Sequence, residues 1–243
     1  MADPKVALVV GAGPGLGGAL CRRFAHEGYG VAAVRRRHGA ELQALCREIA
    51  DVGGSARGFE ADVRGEDAVV GLFDQVESEL GPLEVVVFNP GANINLPIRE
   101  TSVRKFTKVW EMACFAGFLV GREAARRMAP RGRGTILFTG ATASLRGGRG
   151  YAAFASAKHG LRAVAQSMAR ELAPEGIHVA HVVIDGAIDT PWIRENFGAA
   201  LAARGPDAML APDAIAETYW AIHAQARSAW SFEVDLRPWV ESW

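Results

Sequence analysis

The chain begins with an apolar run, Lys5-Val6-Ala7-Leu8-Val9-Val10, that stops on Gly11-Ala12-Gly13-Pro14-Gly15-Leu16-Gly17 and continues into a segment where Leu16, Leu20, the Arg23 stem and Phe24 recur at helical spacing. A short strand, a glycine turn and a helix in that order leave few architectures open, because a strand followed by a helix has to pair with a later parallel strand. The same alternation repeats. Strands are expected over 31–34, 56–61, 84–88, 134–139, 178–184 and 232–236, with helices over 40–51, 66–80, 102–128 and 151–173. Seven strands separated by helices predict an α/β fold: a doubly wound, Rossmann-type parallel sheet flanked by helices and joined by right-handed crossovers. The 243 residues suit a single domain spanning 1–243. Only residues 191–212, rich in Ala, Gly and Pro, break the rhythm, which marks them as a variable substrate loop and a candidate lid.

Charge and composition remove several function classes. Lys plus Arg and Asp plus Glu each number 27, so the balance carries no nucleic-acid footprint, and a small-molecule partner is expected. No apolar run approaches the length of a membrane span, and the residues after Met1 lack the charged leader of a signal peptide. Cys21, Cys46 and Cys114 are an odd set without close spacing, each in a helical stretch; buried, reduced thiols in a cytoplasmic protein are the expectation. His26, His38, His159, His178, His181 and His223 show no metal-ligand spacing and read as surface or strand residues, and no metal is expected.

The glycine turn has a chemical use. Glycines at a strand-to-helix junction let a pyrophosphate approach the backbone where helix N–H groups converge, which nominates Gly11, Gly13, Gly15, Leu16 and Gly17. After the second strand stands Arg35-Arg36-Arg37, where a carboxylate would accept a ribose 2′-hydroxyl. Guanidinium forks favour a 2′-phosphate, so NADP(H) is expected over NAD(H), with Arg35 and Arg36 as its contacts.

The spacing Gly11-xxx-Gly15-x-Gly17 resembles that of the short-chain dehydrogenase/reductase family, and further landmarks extend the resemblance over nearly the whole chain. Ala61-Asp62-Val63 resembles the family's adenine-contacting turn, and Asn89-Pro90-Gly91 its Asn-Ala-Gly. Ile184-Asp185-Gly186-Ala187-Ile188-Asp189-Thr190 resembles its Pro-Gly-x-x-x-Thr stretch, with Asp185 in place of proline. The resemblance implies a nicotinamide cofactor held in part by Asp62, Val63, Asn89, Pro90, Gly91, Ile188 and Thr190, with Thr190 on the carboxamide. It also implies a homodimer or homotetramer assembled through the helices at 102–128 and 151–173.

The same resemblance locates what is missing. The family uses a tyrosine, a lysine four residues later, a serine thirteen residues before the tyrosine, and an upstream asparagine that holds a water. Lys158 matches the lysine, but the tyrosine position is Phe154, the serine position Ala141 and the asparagine position Ala113, or Cys114 if the count slips by one. Lys158 retains a second family task, bonding the nicotinamide ribose. Tyr151 lies two helical turns before Lys158, about 10 Å along the axis, and is the candidate substitute proton donor. Thr142 and Ser144 bring hydroxyls near the vacated serine position, although capping a turn is their expected use.

Three readings follow: a reductase suited to imines or conjugated double bonds that need little acid help; a non-redox enzyme using the cofactor as a pocket wall; and a non-catalytic cofactor-binding subunit. At the C-terminus, Trp239 and Trp243 are expected to dock, across a subunit interface or over a pocket.

Overall fold

The computed structural model describes residues 5–241. One seven-stranded sheet runs β3-β2-β1-β4-β5-β6-β7, every pairing parallel. Its strands are β1 (Val6–Val10), β2 (Gly30–Arg35), β3 (Ser55–Glu60), β4 (Leu83–Phe88), β5 (Gly134–Thr139), β6 (Ile177–Ile184) and β7 (Glu233–Leu236). The helices are α1 (Leu16–His26), α2 (Gly39–Asp51), α3 (Glu66–Leu80), α4 (Val103–Trp110), α5 (Ala116–Met128), α6 (Ala152–Leu172), α7 (Pro191–Ala202) and α8 (Pro212–His223).

The central strands are apolar on both faces because both faces are covered. Val6, Leu8 and Val10 of β1 enter the core packed by α3, α5 and α6, while Ala7 and Val9 enter the core packed by α1, α2 and α8. The chain winds outward through β2 and β3 on one side of β1 and through β4 to β7 on the other. In register, Val10 stands against both Val34 and Phe88, so the loops leaving β1, β2 and β4 converge at one point, where this topology opens a crevice.

Five points of the sequence reading are corrected. The helix expected over 102–128 is interrupted by a π-helical turn, Glu111–Phe115, whose wider ring lets both Ala113 and Cys114 face inward. Residues 191–212 are not an irregular loop throughout. Pro191 sits in the first turn of α7, where its missing N–H has no cost, and Thr190 caps that helix by accepting from the Ile193 N–H at 3.3 Å. Helix α8 was not anticipated, although Ile215, Ala216, Tyr219 and Ile222 form a buried stripe at helical spacing. Finally, Cys46 is only half-buried, unlike Cys21 and Cys114, and His223 lies on α8 rather than on a strand or at the surface.

Candidate active site

The glycine turn is shaped by contacts that exclude side chains. Gly11 adopts φ +92°, a conformation that costs other residues, and both its N–H and that of Ala12 donate to the Val34 carbonyl, at 2.9 and 3.0 Å. A Cβ on Gly17 would stand 2.0 Å from the Gly11 oxygen, and one on Gly15 would stand 2.6 Å from Thr190 Cγ2. The start of α1, including the buried Leu16, is thereby pressed against the turn, and the 188–190 segment against Gly15. Gly13 differs: among the described residues nothing lies within 4 Å of the position its Cβ would take. Its backbone is bare on the open side, beside a helix start that no side chain caps.

That open side is a cleft of 440 Å³. It brings together nine of the residues nominated from sequence: Gly11, Gly13, Arg35, Arg36, Asp62, Val63, Asn89, Pro90 and Gly91. Asn89 closes its floor, donating from Nδ2 to the Gly11 carbonyl at 3.1 Å and from its backbone N–H to Val10 at 2.9 Å. At the rim, Arg35 donates to Glu41 at 2.6 Å, a bond that holds the Glu41 carboxyl below the usual carboxylate range. Asp62 is gripped by the Arg64 side chain, with Nε on Oδ1 at 2.8 Å, and this hydrogen bonding pulls its pKa down. Arg64, His38 and Met112 also line the cleft and were not nominated. Arg64 had a signal, since a guanidinium two residues after a carboxylate can fold back onto it.

Lys158, Tyr151, Gly15, Leu16, Gly17, Ile188 and Thr190 do not line this cleft. Lys158 is 2% exposed, and its ammonium donates to the Thr139 carbonyl at 2.8 Å and to the Pro90 carbonyl at 3.3 Å, tying the ends of β4 and β5 together. Burial pushes its pKa down to about 8. Its ammonium stands 5.9 Å from the centroid of the Phe154 ring. Phe154, Ala113, Cys114, Ala143 and Ala157 form one apolar cluster, with Ala141 and Tyr151 packed on its edge. Tyr151 sits at the N-terminal cap of α6. Ile188 bridges to Leu210.

The hydroxyls near Ala141 have separate fates. Ser144 is fully buried and accepts from the Ala141 N–H at 3.1 Å, a turn-capping role. Thr142 donates to Asp185 at 2.5 Å. Asp185, treated from sequence only as a lost proline, is 6% exposed, with the guanidinium groups of Arg146 and Arg237 at 3.8 and 3.7 Å. Sequence reasoning missed this carboxylate because its hydroxyl partner lies on the other side of α6. Among the described residues no cluster of three metal-ligating side chains occurs. Two of the histidines serve as internal braces: His181 bonds Glu233 at 2.9 Å and His223 bonds Tyr29 at 2.6 Å, and burial pushes both rings down to about 4.

A family model described as short chain dehydrogenase matches residues 5–200. The chain belongs to the short-chain dehydrogenase family. It is 33% identical over 235 residues to the cis-4-hydroxycyclohexanecarboxylate dehydrogenase of Sinomonas cyclohexanicum, covering 95% of this chain and 92% of the relative. Its fold is similar to that of a short-chain dehydrogenase from Rhodopseudomonas palustris, with TM-score 0.83 and 48% identity over 98% of this chain and 100% of the other. It is also similar to a metagenomic short-chain oxidoreductase in complex with NADP, with TM-score 0.83 and 26% identity over 96% and 97% of the two chains. Among the described residues of this short-chain dehydrogenase, no helix is long and apolar enough to cross a membrane.

Proposed function

We propose that this short-chain dehydrogenase binds NADP(H) and oxidises or reduces a small organic substrate without the family's tyrosine, serine and asparagine. The observation that carries the reading is the make-up of the cleft: an arginine rim at Arg35 and Arg36, bare backbone at Gly13 and the Asn89-Pro90-Gly91 wall, with the buried ammonium of Lys158 bonded to the Pro90 carbonyl behind that wall. The residues fit the dinucleotide. A side chain at Gly13 would fill the space where a pyrophosphate has to lie, and two guanidinium groups suit a 2′-phosphate better than a bare hydroxyl. Asp62 and Val63 wall the adenine end, Lys158 reaches the nicotinamide ribose, and Ile188 and Thr190 cover the carboxamide end, where Thr190 already packs on Gly15. A nicotinamide ring bound there gives or takes a hydride. The chain's own residues hold it, exclude water through the Phe154 cluster, and leave the segment 191–212 to shape the substrate side. The relative bound to NADP supports the cofactor, and the relative acting on a hydroxycyclohexanecarboxylate supports a cyclic secondary alcohol or ketone as substrate.

One observation favours a second reading. Phe154, Ala113 and Ala141 turn the corner beside Lys158 apolar, as a non-redox enzyme or a non-catalytic subunit using the cofactor as a wall would require. Fluorescence titration with NADPH and NADH, followed by assays on 4-oxocyclohexanecarboxylate, an imine and an enone, separates the two. NADPH binding at micromolar concentration, with NADH at least about tenfold weaker as expected for loss of one charge-assisted phosphate contact, supports the proposal when it is accompanied by turnover. Tight binding without oxidation of NADPH by any of the three moves the assignment to the second reading.

A further inference from the structure

Arg35 is asked to meet a phosphate in the reading above, yet it already meets a carboxylate. Its Nη1 donates to Glu41 Oε2 at 2.6 Å, and the other Glu41 oxygen stands 3.7 Å from Nδ1 of His38. Arg35, Arg36, Arg37 and His38 follow one another along the cleft wall, whereas Glu41 stands behind them in the first turn of α2. The backbone is bent to bring it there. His38 adopts φ 74°, a conformation that costs a non-glycine residue, and its carbonyl accepts from the Leu42 N–H at 3.1 Å. Helix α2 therefore starts directly after the arginines and turns its first carboxylate back onto Arg35.

An acidic residue in the first turn of a helix has an ordinary use, offsetting the helix dipole, and that use does not require Arg35. The pair adds little stability either, because the Glu41 side chain is 58% exposed and water would satisfy it. What the pair does change is Arg35, whose side chain is only 17% exposed and lines the cleft. Arg35 holds the Glu41 carboxyl below the usual carboxylate range, so Glu41 is ionised at neutral pH and matches the guanidinium charge. An incoming phosphate has to displace that carboxylate or bind beside its negative charge. A ribose 2′-hydroxyl, being uncharged, meets no such opposition.

We propose that Glu41 is a specificity-determining residue that competes with the 2′-phosphate of the dinucleotide for Arg35, and so sets how far this site prefers NADP(H) to NAD(H). This rests on the NADP(H) reading above. Arg36 and Arg37 line the same wall, so the competition weakens the hold on the phosphate without abolishing it. One full charge about 5 Å from a doubly charged phosphate, in a dielectric close to that of water, changes affinity by about tenfold. Glu41 thus tempers a preference that the three arginines would otherwise make steeper.

The test is calorimetric titration of the full chain with adenosine 2′,5′-bisphosphate and adenosine 5′-monophosphate, two probes that differ by the 2′-phosphate alone. It is run at about pH 8, above the second phosphate pKa of about 6. Glu41→Gln keeps an acceptor oxygen for Arg35 and removes the charge; Glu41→Lys reverses the charge. Glu60→Gln, at the residue opposite Arg35 in the register of β2 and β3, controls for a general change of charge. The bisphosphate should bind about tenfold tighter to Glu41→Gln than to the original chain and tighter still to Glu41→Lys, with the monophosphate within about twofold in Glu41→Gln. Added salt should narrow the gap, since these charges are solvated. Glu60→Gln should stay within about threefold for both probes. A helix-dipole role alone predicts a less stable Glu41→Gln with unchanged discrimination, and that result overturns the proposal. So does weaker binding of the bisphosphate, which would mean that Glu41 holds Arg35 in place for the phosphate, and so does an equal gain for both probes or from Glu60→Gln. An original chain that binds the two probes equally overturns the NADP(H) reading and the competition with it. An original chain that prefers the bisphosphate, with a Glu41→Gln that prefers it no more strongly, overturns the competition alone.

Discussion

At the ends of β1 and β2 the chain keeps backbone bare and places charge at the rim, while at the ends of β5 and β6 it buries charge and surrounds it with alanine and phenylalanine. Gly13 opens onto a cleft edged by Arg35, Arg36 and Arg64, each partly solvated. On α6, Lys158 is buried beside Phe154, its ammonium donating to the carbonyls of Thr139 and Pro90. A rim can recognise a ligand without being strained by its absence. A buried ammonium carries a standing desolvation cost that its hydrogen bonds offset only in part. On the proposed reading the contrast separates holding a dinucleotide from acting on a substrate, and the first is better furnished than the second.

The strongest way to break the contrast is to restore what the apolar corner lacks. In Phe154→Tyr a hydroxyl enters beside the Lys158 ammonium, which lies 5.9 Å from the ring centroid. Ketone reduction by the variant, measured with 4-oxocyclohexanecarboxylate and NADPH, should rise by about 10²–10⁴-fold, the contribution of a positioned general acid. Adding Ala141→Ser should raise it further. A variant that binds NADPH and gains nothing would show that the corner is organised for something other than proton delivery at that position.

The next effect concerns stability and has a definite sign. Burial lowers the Lys158 pKa from 10.5 to about 8, so in that interval the unfolded chain holds a proton the folded chain does not. Stability from this group therefore rises with pH between about 8 and 10.5, and the full penalty, about 3 kcal/mol at 1.36 kcal/mol per pKa unit, applies below that window. Lys158→Met removes the titration. Urea unfolding of both proteins at pH 7 and pH 10.5 should show the variant gaining on the original chain by about that amount at the lower pH, a difference in which all other titrations cancel. NADPH affinity should fall in the same variant, so the change that relieves the fold weakens the site.

The same division decides how much was legible in the sequence. The inner strands, covered on both faces, advertise themselves as apolar runs, and the edge strands β3 and β7 were readable from the alternation with helices, as was the glycine turn whose Gly11 and Gly17 are demanded by local backbone geometry. Nine nominated residues meet in one cleft because they sit on loops that the strand register forces together at Val10, Val34 and Phe88. The corner around Lys158 and Asp185 depends on longer-range geometry. Nothing in Glu111–Phe115 distinguishes a π-helical turn from the α-helix on either side, and the bond between Thr142 and Asp185 joins residues 43 apart. Helix α8 was recoverable from the spacing of Ile215, Tyr219 and Ile222 but was masked by the alanines, glycines and prolines that precede it.

The smallest effect lies where the C-terminal tail meets the turn after α7. Trp239 is 75% exposed, yet its indole N–H donates to the Pro206 carbonyl at 3.2 Å, and two residues on Glu241 pairs with Arg204 at 2.8 Å. Trp243, the other tryptophan expected to dock, lies outside the described residues. Both contacts are solvated, so each contributes less than about 1 kcal/mol to global stability. Their effect should be local. Trp239→Ala with Glu241→Ala is expected to leave urea unfolding within about 1 kcal/mol of the original chain while speeding limited proteolysis at residues 203–206, because cleavage there follows local opening rather than global unfolding. If the tail docks instead across a subunit interface, the double variant will alter the oligomer in gel filtration and leave proteolysis at that turn unchanged. The first pattern extends the comparison outward: the glycine turn is held by backbone geometry, the segment after α7 by exposed side-chain ties.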